Sequence, residues 1–140
     1  MAEGSRPVPF PDLETRPYWE AARAHRLELP KCGQCGRFRF PPKPRCSDCL
    51  SKDSRWVEVS GRGTVYTYCV MHDTLVPGIA PPYVVAVVEL EEQPGLRLVA
   101  NILGAAPGDV RIGMAVEVEF QDLNGEIALP QFHPALTASS

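Results

Sequence analysis

The sequence predicts a mainly β protein: a short N-terminal helix and a rubredoxin-like zinc ribbon, followed by a five- to six-stranded barrel of the OB type. Three observations predict it. Four of the five cysteines form two Cys-x-x-Cys pairs, Cys32/Cys35 and Cys46/Cys49, with ten residues between the pairs. Beyond Arg55 the apolar residues recur at every second position, the period of half-buried strands. The chain also holds 15 prolines, about twice ordinary usage. Proline fixes φ and removes a backbone donor, so its clusters mark boundaries and loops.

The elements follow in order. Residues 1–14 read as a flexible N-terminal segment. In "TRPYWEAARAHRLEL" Thr15 is placed to cap a helix, Pro17 suits its first turn and alanines fill its middle. Leu27 and Leu29 alternate with Glu28, so the chain becomes a strand before Cys32. Residues 15–54 make up the helix and ribbon. In "CGQCG" the glycines permit a sharp turn that aims amide N–H groups at sulfur. "RFRFPPKPR" reads as a short strand and a proline-rigid loop. Residues 55–133 form the barrel, with strands expected at 55–60, 62–73, 83–91, 96–104, 115–123 and a short last one in "EIALPQFH". "EEQPGL" makes a hairpin, and Gly61 and Gly63 mark a bend. "GAAPGDVRIG" is the one connection long enough for a helical turn or a crossover. A β-sandwich is the alternative architecture. Residues 134–140 are left as a tail.

Composition bounds the function. The 140 residues suit one compact domain or a small module attached to one. The formal charge of −3 argues against a nucleic-acid binder, which needs a basic face. No apolar run approaches the ~18 residues of a membrane span, and the N-terminus lacks a signal-like stretch. The chain is read as cytoplasmic, where paired cysteines are metal ligands or redox groups before they are disulfides. Two knuckles supply four sulfurs in a tetrahedron, and four thiolates leave no open position, so Cys32, Cys35, Cys46 and Cys49 are expected to hold a structural metal ion. Zinc is favoured; iron, a pair of disulfides and a redox dithiol remain alternatives. Cys69, alone on a strand, reads as a small buried hydrophobe.

The order of helix, two-knuckle ribbon and "GRGTVYTYCVMH", with "PPYVVAVVELEE" and "GMAVEVEF" further on, resembles the zinc-ribbon/OB-fold acyl-CoA-associated family, long described as a domain of unknown function. The resemblance covers roughly residues 15 to 123. It implies an accessory subunit, not itself catalytic, that docks on a thiolase-superfamily protein in a hetero-oligomer with two of each chain. There it shapes an acyl-CoA site, as in the retro-aldolase that cleaves a steroid side-chain acyl-CoA. The implied cofactor is structural Zn2+, with acyl-CoA a ligand of the complex.

On that resemblance, Arg37, Arg39, Lys43 and Arg45 are candidate cations for the CoA phosphates, against a plain solvated loop. Tyr66, Tyr68 and His72 lie two or four apart and are expected to share a strand face. Tyr66 and His72 would flank the acyl group and Tyr68 would meet the partner, or all three pack the barrel. Tyr18 and Trp19 either pack on the ribbon or belong to the partner interface. His25 is placed at the helix dipole and His133 in the flexible tail. No catalytic set is visible: the sequence has no Gly-x-Ser-x-Gly elbow, phosphate loop or dinucleotide fingerprint. A single-stranded nucleic-acid-binding OB protein is the other functional class, and Glu89, Glu91, Glu92, Glu117 and Glu119 weigh against it. A small iron electron carrier is the third.

Overall fold

The computed structural model describes residues 8–73 and 77–135. The outermost terminal residues of the expected N-terminal segment and C-terminal tail lie outside them. Helix α1 (Arg16–Arg23) is started by a reciprocal box one turn earlier than the sequence suggests. The Asp12 N–H donates to Thr15 Oγ1 at 3.1 Å, and the Thr15 N–H donates to Asp12 Oδ1 at 2.9 Å. Thr15 itself makes no side-chain cap bond to the helix, because its hydroxyl is occupied by Asp12. These bonds hold the Asp12 carboxyl below its usual 3.8, the backbone N–H of Thr15 being the main cause. Past the cap residue Ala24 the chain leaves the helix through His25, whose φ of 62° is left-handed, a position more often filled by Gly or Asn.

Strands β1 (Glu28–Cys32) and β2 (Ser54–Glu58) pair antiparallel from Glu28↔Glu58 to Cys32↔Ser54 and bracket the cysteine loops. The first expected barrel strand therefore belongs to the ribbon's own two-stranded sheet. The short strand expected in "RFRF" is reduced to one bridge, Lys31↔Phe38, because Arg39 turns inward and Pro41 and Pro42 cannot extend a ladder. Only Val59, Ser60 and Gly61 separate β2 from the barrel, and each is tied down. Val59 N–H donates to Leu27 O, Ser60 N–H to Glu92 Oε2, and Gly61 O accepts from Val118 N–H. A Cβ on Gly61 would collide with the Val118 side chain, and its φ is +80°.

The barrel strands are β3 (Arg62–Met71), β4 (Tyr83–Leu90), β5 (Arg97–Asn101), β6 (Ala115–Asp122) and β7 (Ala128–Pro134). They form one antiparallel sheet in the order β5-β4-β3-β6-β7. It curls until Ile102 and Phe132 form a parallel bridge, with Leu103 N–H on Phe132 O at 2.7 Å. This nearly closed five-strand barrel is the OB architecture; the sandwich is not formed. Side-chain amides complete the seam. Asn101 N–H donates to Gln131 Oε1 at 2.7 Å, and Gln131 Nε2 donates to Asn101 Oδ1 and Gln121 Oε1. The 91–96 hairpin forms as expected, and the long connection carries a 3-10 turn at Pro107–Asp109.

Phe132, Val65, Val84, Val88 and Val116 fill the barrel, and Leu27 and Leu29 of the ribbon side join the same cluster. Each such side chain contributes roughly 1.5–3 kcal/mol by leaving water. The two lobes therefore share one core. A clasp adds to it: Phe38 N–H donates to Gln93 Oε1 at 2.8 Å and Gln93 Nε2 donates back to Phe38 O at 3.1 Å.

Candidate metal centre and its surroundings

The two knuckles are built alike. In the first, Gly36 N–H donates to Cys32 O at 3.0 Å and Gly36 has φ +81°. In the second, Leu50 N–H donates to Cys46 O at 2.9 Å, and Leu50 takes the same left-handed place with φ 63°. Gly33 is required for a different reason: a Cβ there would strike the Asp53 carboxylate. Amide N–H groups point at the first sulfur of each knuckle, from Gln34 and Cys35 to Cys32 Sγ and from Asp48 to Cys46 Sγ, all at 3.4 Å.

The turns face each other. Cys32 Sγ lies 3.6 Å from Cys49 Sγ, and Cys35 Sγ lies 3.6 Å from Cys46 Sγ, with all four sulfurs within 4.8 Å of one another. A tetrahedron with metal–sulfur bonds of ~2.3 Å has edges of about 3.8 Å, so the donor set fits a zinc ion. No disulfide joins any of the four. Their acidities diverge. The N–H groups of Cys35 and Gln34 bring Cys32 down to about 6, and those of Cys49 and Asp48 lower Cys46. At Cys35 the Arg37 N–H lowers the thiol, but the neighbouring Cys46 sulfur and desolvation outweigh it and push it up to about 12. Cys49 is raised as well: its hydrogen bond from Ser51 is outweighed by desolvation and the facing sulfurs. Four sulfurs this close cannot all ionise until a cation neutralises them.

The remaining expected site residues do not form one constellation. Arg37 is paired with Asp48 at 3.1 Å, and Arg45 donates to Leu50 O at 3.0 Å. Arg39 is only 7% exposed, which overturns its reading as a solvent-facing cation. Its Nη1 reaches Ser51 O at 3.4 Å, while Nε and Nη2 have no partner among the described residues. Lys43 remains exposed.

Tyr66, Tyr68 and His72 do not share a face. The β3–β4 register shifts between Val65 and Thr67, making Tyr66 the extra residue of a bulge. Tyr66 lies outside, stacked with the Arg97 guanidinium at 3.7 Å, whereas Tyr68 packs against the core. His72 is exposed beyond the end of β3. Cys69 is exposed too, on the outward side of β3, and not the buried hydrophobe expected.

Tyr18 packs on the ribbon through Phe40, ring centroids 5.2 Å apart, and meets Trp19 edge-on at 4.9 Å. Burial raises its hydroxyl pKa. Both rings also wall a groove of about 280 Å³ against Val85, Val99 and Leu129.

Two histidines hold structure that sequence reading missed. His25 Nε2 lies 2.9 Å from Asp122 Oδ1, and its ring stacks on Phe120 at 5.2 Å, fastening the helix end to β6. His133 is in β7 and not in a tail, with Nδ1 2.8 Å from Glu119 Oε1.

A four-cysteine ribbon sharing its core with an OB barrel defines a class of zinc-ribbon/OB-fold proteins. Comparison with known families agrees. Residues 19–55 match the family model described as "ChsH2, rubredoxin-like zinc ribbon domain", and residues 56–121 match "ChsH2, C-terminal OB-fold domain". The chain belongs to this ChsH2 (DUF35) family.

A solved structure described as "Ltp2-ChsH2(DUF35) aldolase" contains a chain similar to this one at 41% identity and a TM-score of 0.85, covering 91% of this chain and 99% of that one. A probable enoyl-CoA hydratase alpha subunit of Thermomonospora curvata is 42% identical over 94% of this chain. The 3-oxo-4,17-pregnadiene-20-carboxyl-CoA hydratase alpha subunit of Mycobacterium tuberculosis is 38% identical over 81% of it. The chain spans 40% and 36% of the lengths of those two relatives. No helix among the described residues is long and apolar enough to cross a membrane.

Proposed function

We propose that this chain is a zinc-binding accessory unit, without catalytic groups of its own, that docks on a thiolase-superfamily protein and helps form its acyl-CoA site. The reaction favoured is retro-aldol cleavage of a steroid side-chain acyl-CoA. The observation that carries this reading is the near end-to-end likeness to a chain of a two-component aldolase. The relatives named as CoA-thioester hydratase subunits support the substrate class.

In this reading Cys32, Cys35, Cys46 and Cys49 hold Zn2+ as thiolates. The ion supplies a cross-link between the knuckles, since a four-sulfur shell leaves no position for substrate. Lys43, Arg45 and Arg37 are the exposed ribbon cations offered to CoA phosphates, and Arg39 braces the loop from within through Ser51 O. On this proposal Tyr66 and His72, both exposed, are the barrel residues offered to the acyl chain, and Trp19, with Tyr18 behind it, is offered to the partner, while Tyr68, packed against the core, supports that contact from inside the barrel. A nucleic-acid role gains nothing from the barrel surface, where Arg97 is paired with Glu89 and Arg62 with Glu91.

The test is co-purification of the untagged chain with a tagged thiolase-superfamily protein of the same organism, with zinc assayed in the eluate. A stable complex with about one zinc per chain is expected. A chain that elutes alone, folded and zinc-loaded, refutes the accessory role.

A further inference from the structure

Strand β4 reads "YVVAVVEL". Val84, Ala86, Val88 and Leu90 fill the barrel, yet the alternate residues Tyr83, Val85 and Val87 are apolar as well. A strand covered on one face reads apolar-in and polar-out. Valines on both faces are the pattern of a strand covered on both. The neighbours continue it. Across the outward face Met71 lies beside Tyr83, Cys69 beside Val85, and Thr67 beside Val87, which in turn lies beside Val99. Val99 is 72% exposed. No charged residue stands in these rows. Charge begins one row further on, where Glu89 and Arg97 pair at 3.2 Å under the Tyr66 ring. At the other side the face runs into the groove walled by Tyr18 and Trp19.

From this geometry we infer that the outward face of β3–β4–β5, centred on Val85, Val87 and Val99 and continued by the Trp19 groove, is the surface on which the thiolase-superfamily partner sits. The inference rests on the proposed accessory function and names the contact that function requires. An uncharged apolar centre with a charged rim is the anatomy of a stable interface. Three strands over five residues present roughly 250 Å². A standard interface needs about 800 Å² from each partner, so the sheet face supplies the apolar centre and the helix groove extends it. The matching surface on the partner is apolar and uncharged.

The experiment measures affinity of the full zinc-loaded chain for the thiolase-like protein, comparing wild type, Val99→Glu and Val99→Thr. Val99 is exposed, so all three keep the same thermal midpoint and zinc content. Val99→Glu buries an unpaired charge in the contact and weakens binding by at least ~30-fold, while Val99→Thr stays within about threefold. Equal binding by wild type and Val99→Glu overturns the inference and leaves the accessory function standing. Failure of the wild type to bind refutes the accessory function, and this surface assignment with it. A self-associated wild type that Val99→Glu makes monomeric overturns the choice of occupant, giving the face to a second copy of the chain.

Discussion

Replacing Gln93 with Leu tests how the ribbon is fixed to the barrel. Leu keeps most of the volume and removes both side-chain hydrogen bonds to Phe38, at 2.8 and 3.1 Å. The hairpin itself survives, because Leu96 N–H bonds the backbone oxygen of Gln93. Each lost bond is worth about 1 kcal/mol net, and a stranded N–H or C=O costs more where water is excluded. The Phe38 groups are only partly buried, so the lower end applies and the total is about 2–3 kcal/mol. Guanidinium unfolding of the zinc-loaded chain measures it, followed by fluorescence, with Trp56 in β2 reporting on the ribbon. Hydrogen exchange at the Phe38 amide gives a local reading. Gln93→Glu keeps the acceptor but not the donor and falls between the two. A loss under about 0.5 kcal/mol with unchanged Phe38 protection refutes the clasp.

Other outcomes follow from the same geometry. Cys46→Ser removes one sulfur of four, and metal analysis finds the zinc gone with the ribbon unfolded; the binding at stake is of order 10 kcal/mol. Leu50→Gly stabilises the chain by roughly 0.5–1 kcal/mol in thermal unfolding, because an exposed Leu at φ 63° gives way to the residue suited to that conformation. Phe132→Ala, at 0% exposure in the core, costs about 3–5 kcal/mol in the same assay. Glu91 titrates below 4.5, since the Arg62 guanidinium and then Ser60 hydrogen-bond its carboxylate. Its folded pKa is depressed, so its contribution is present above about pH 4.5 and disappears as pH falls through the lower folded value. NMR titration reads this directly, and Arg62→Met moves the midpoint back up.

What the sequence revealed was what short-range chemistry dictates. Two Cys-x-x-Cys knuckles predict a metal shell wherever the chain goes, and period-two runs such as "AVEVEF" predict a half-buried strand before any partner strand is known. What stayed hidden depends on tertiary partners. Nothing local in "RWVEVS" says that it pairs with Glu28–Cys32 and not with the barrel. Tyr66 and Tyr68 share a face only in an unbroken strand, and a bulge separates them. Arg39 resembles its basic neighbours in sequence but is buried. Thr15 was a reasonable cap by residue type, yet Asp12 three positions earlier took its hydroxyl. The amides of Gln93 and Gln131 bond groups 55 and 30 positions away, and no short-range pattern marks them.

The three-residue joint at Val59–Gly61 has a mechanical consequence. A linker this short, bonded at every residue and wedged against Val118, transmits angle as well as position. The ribbon and barrel therefore act as a set square: a protein that touches both arms meets them at a spacing fixed in advance. It orders no hinge on arrival, and the entropy of aligning two contact points is spent during folding, before any encounter. The same rigidity makes the unit portable. Carried beside a different chain or within a longer one, it brings its own geometry, and a new host need match only one rigid outline.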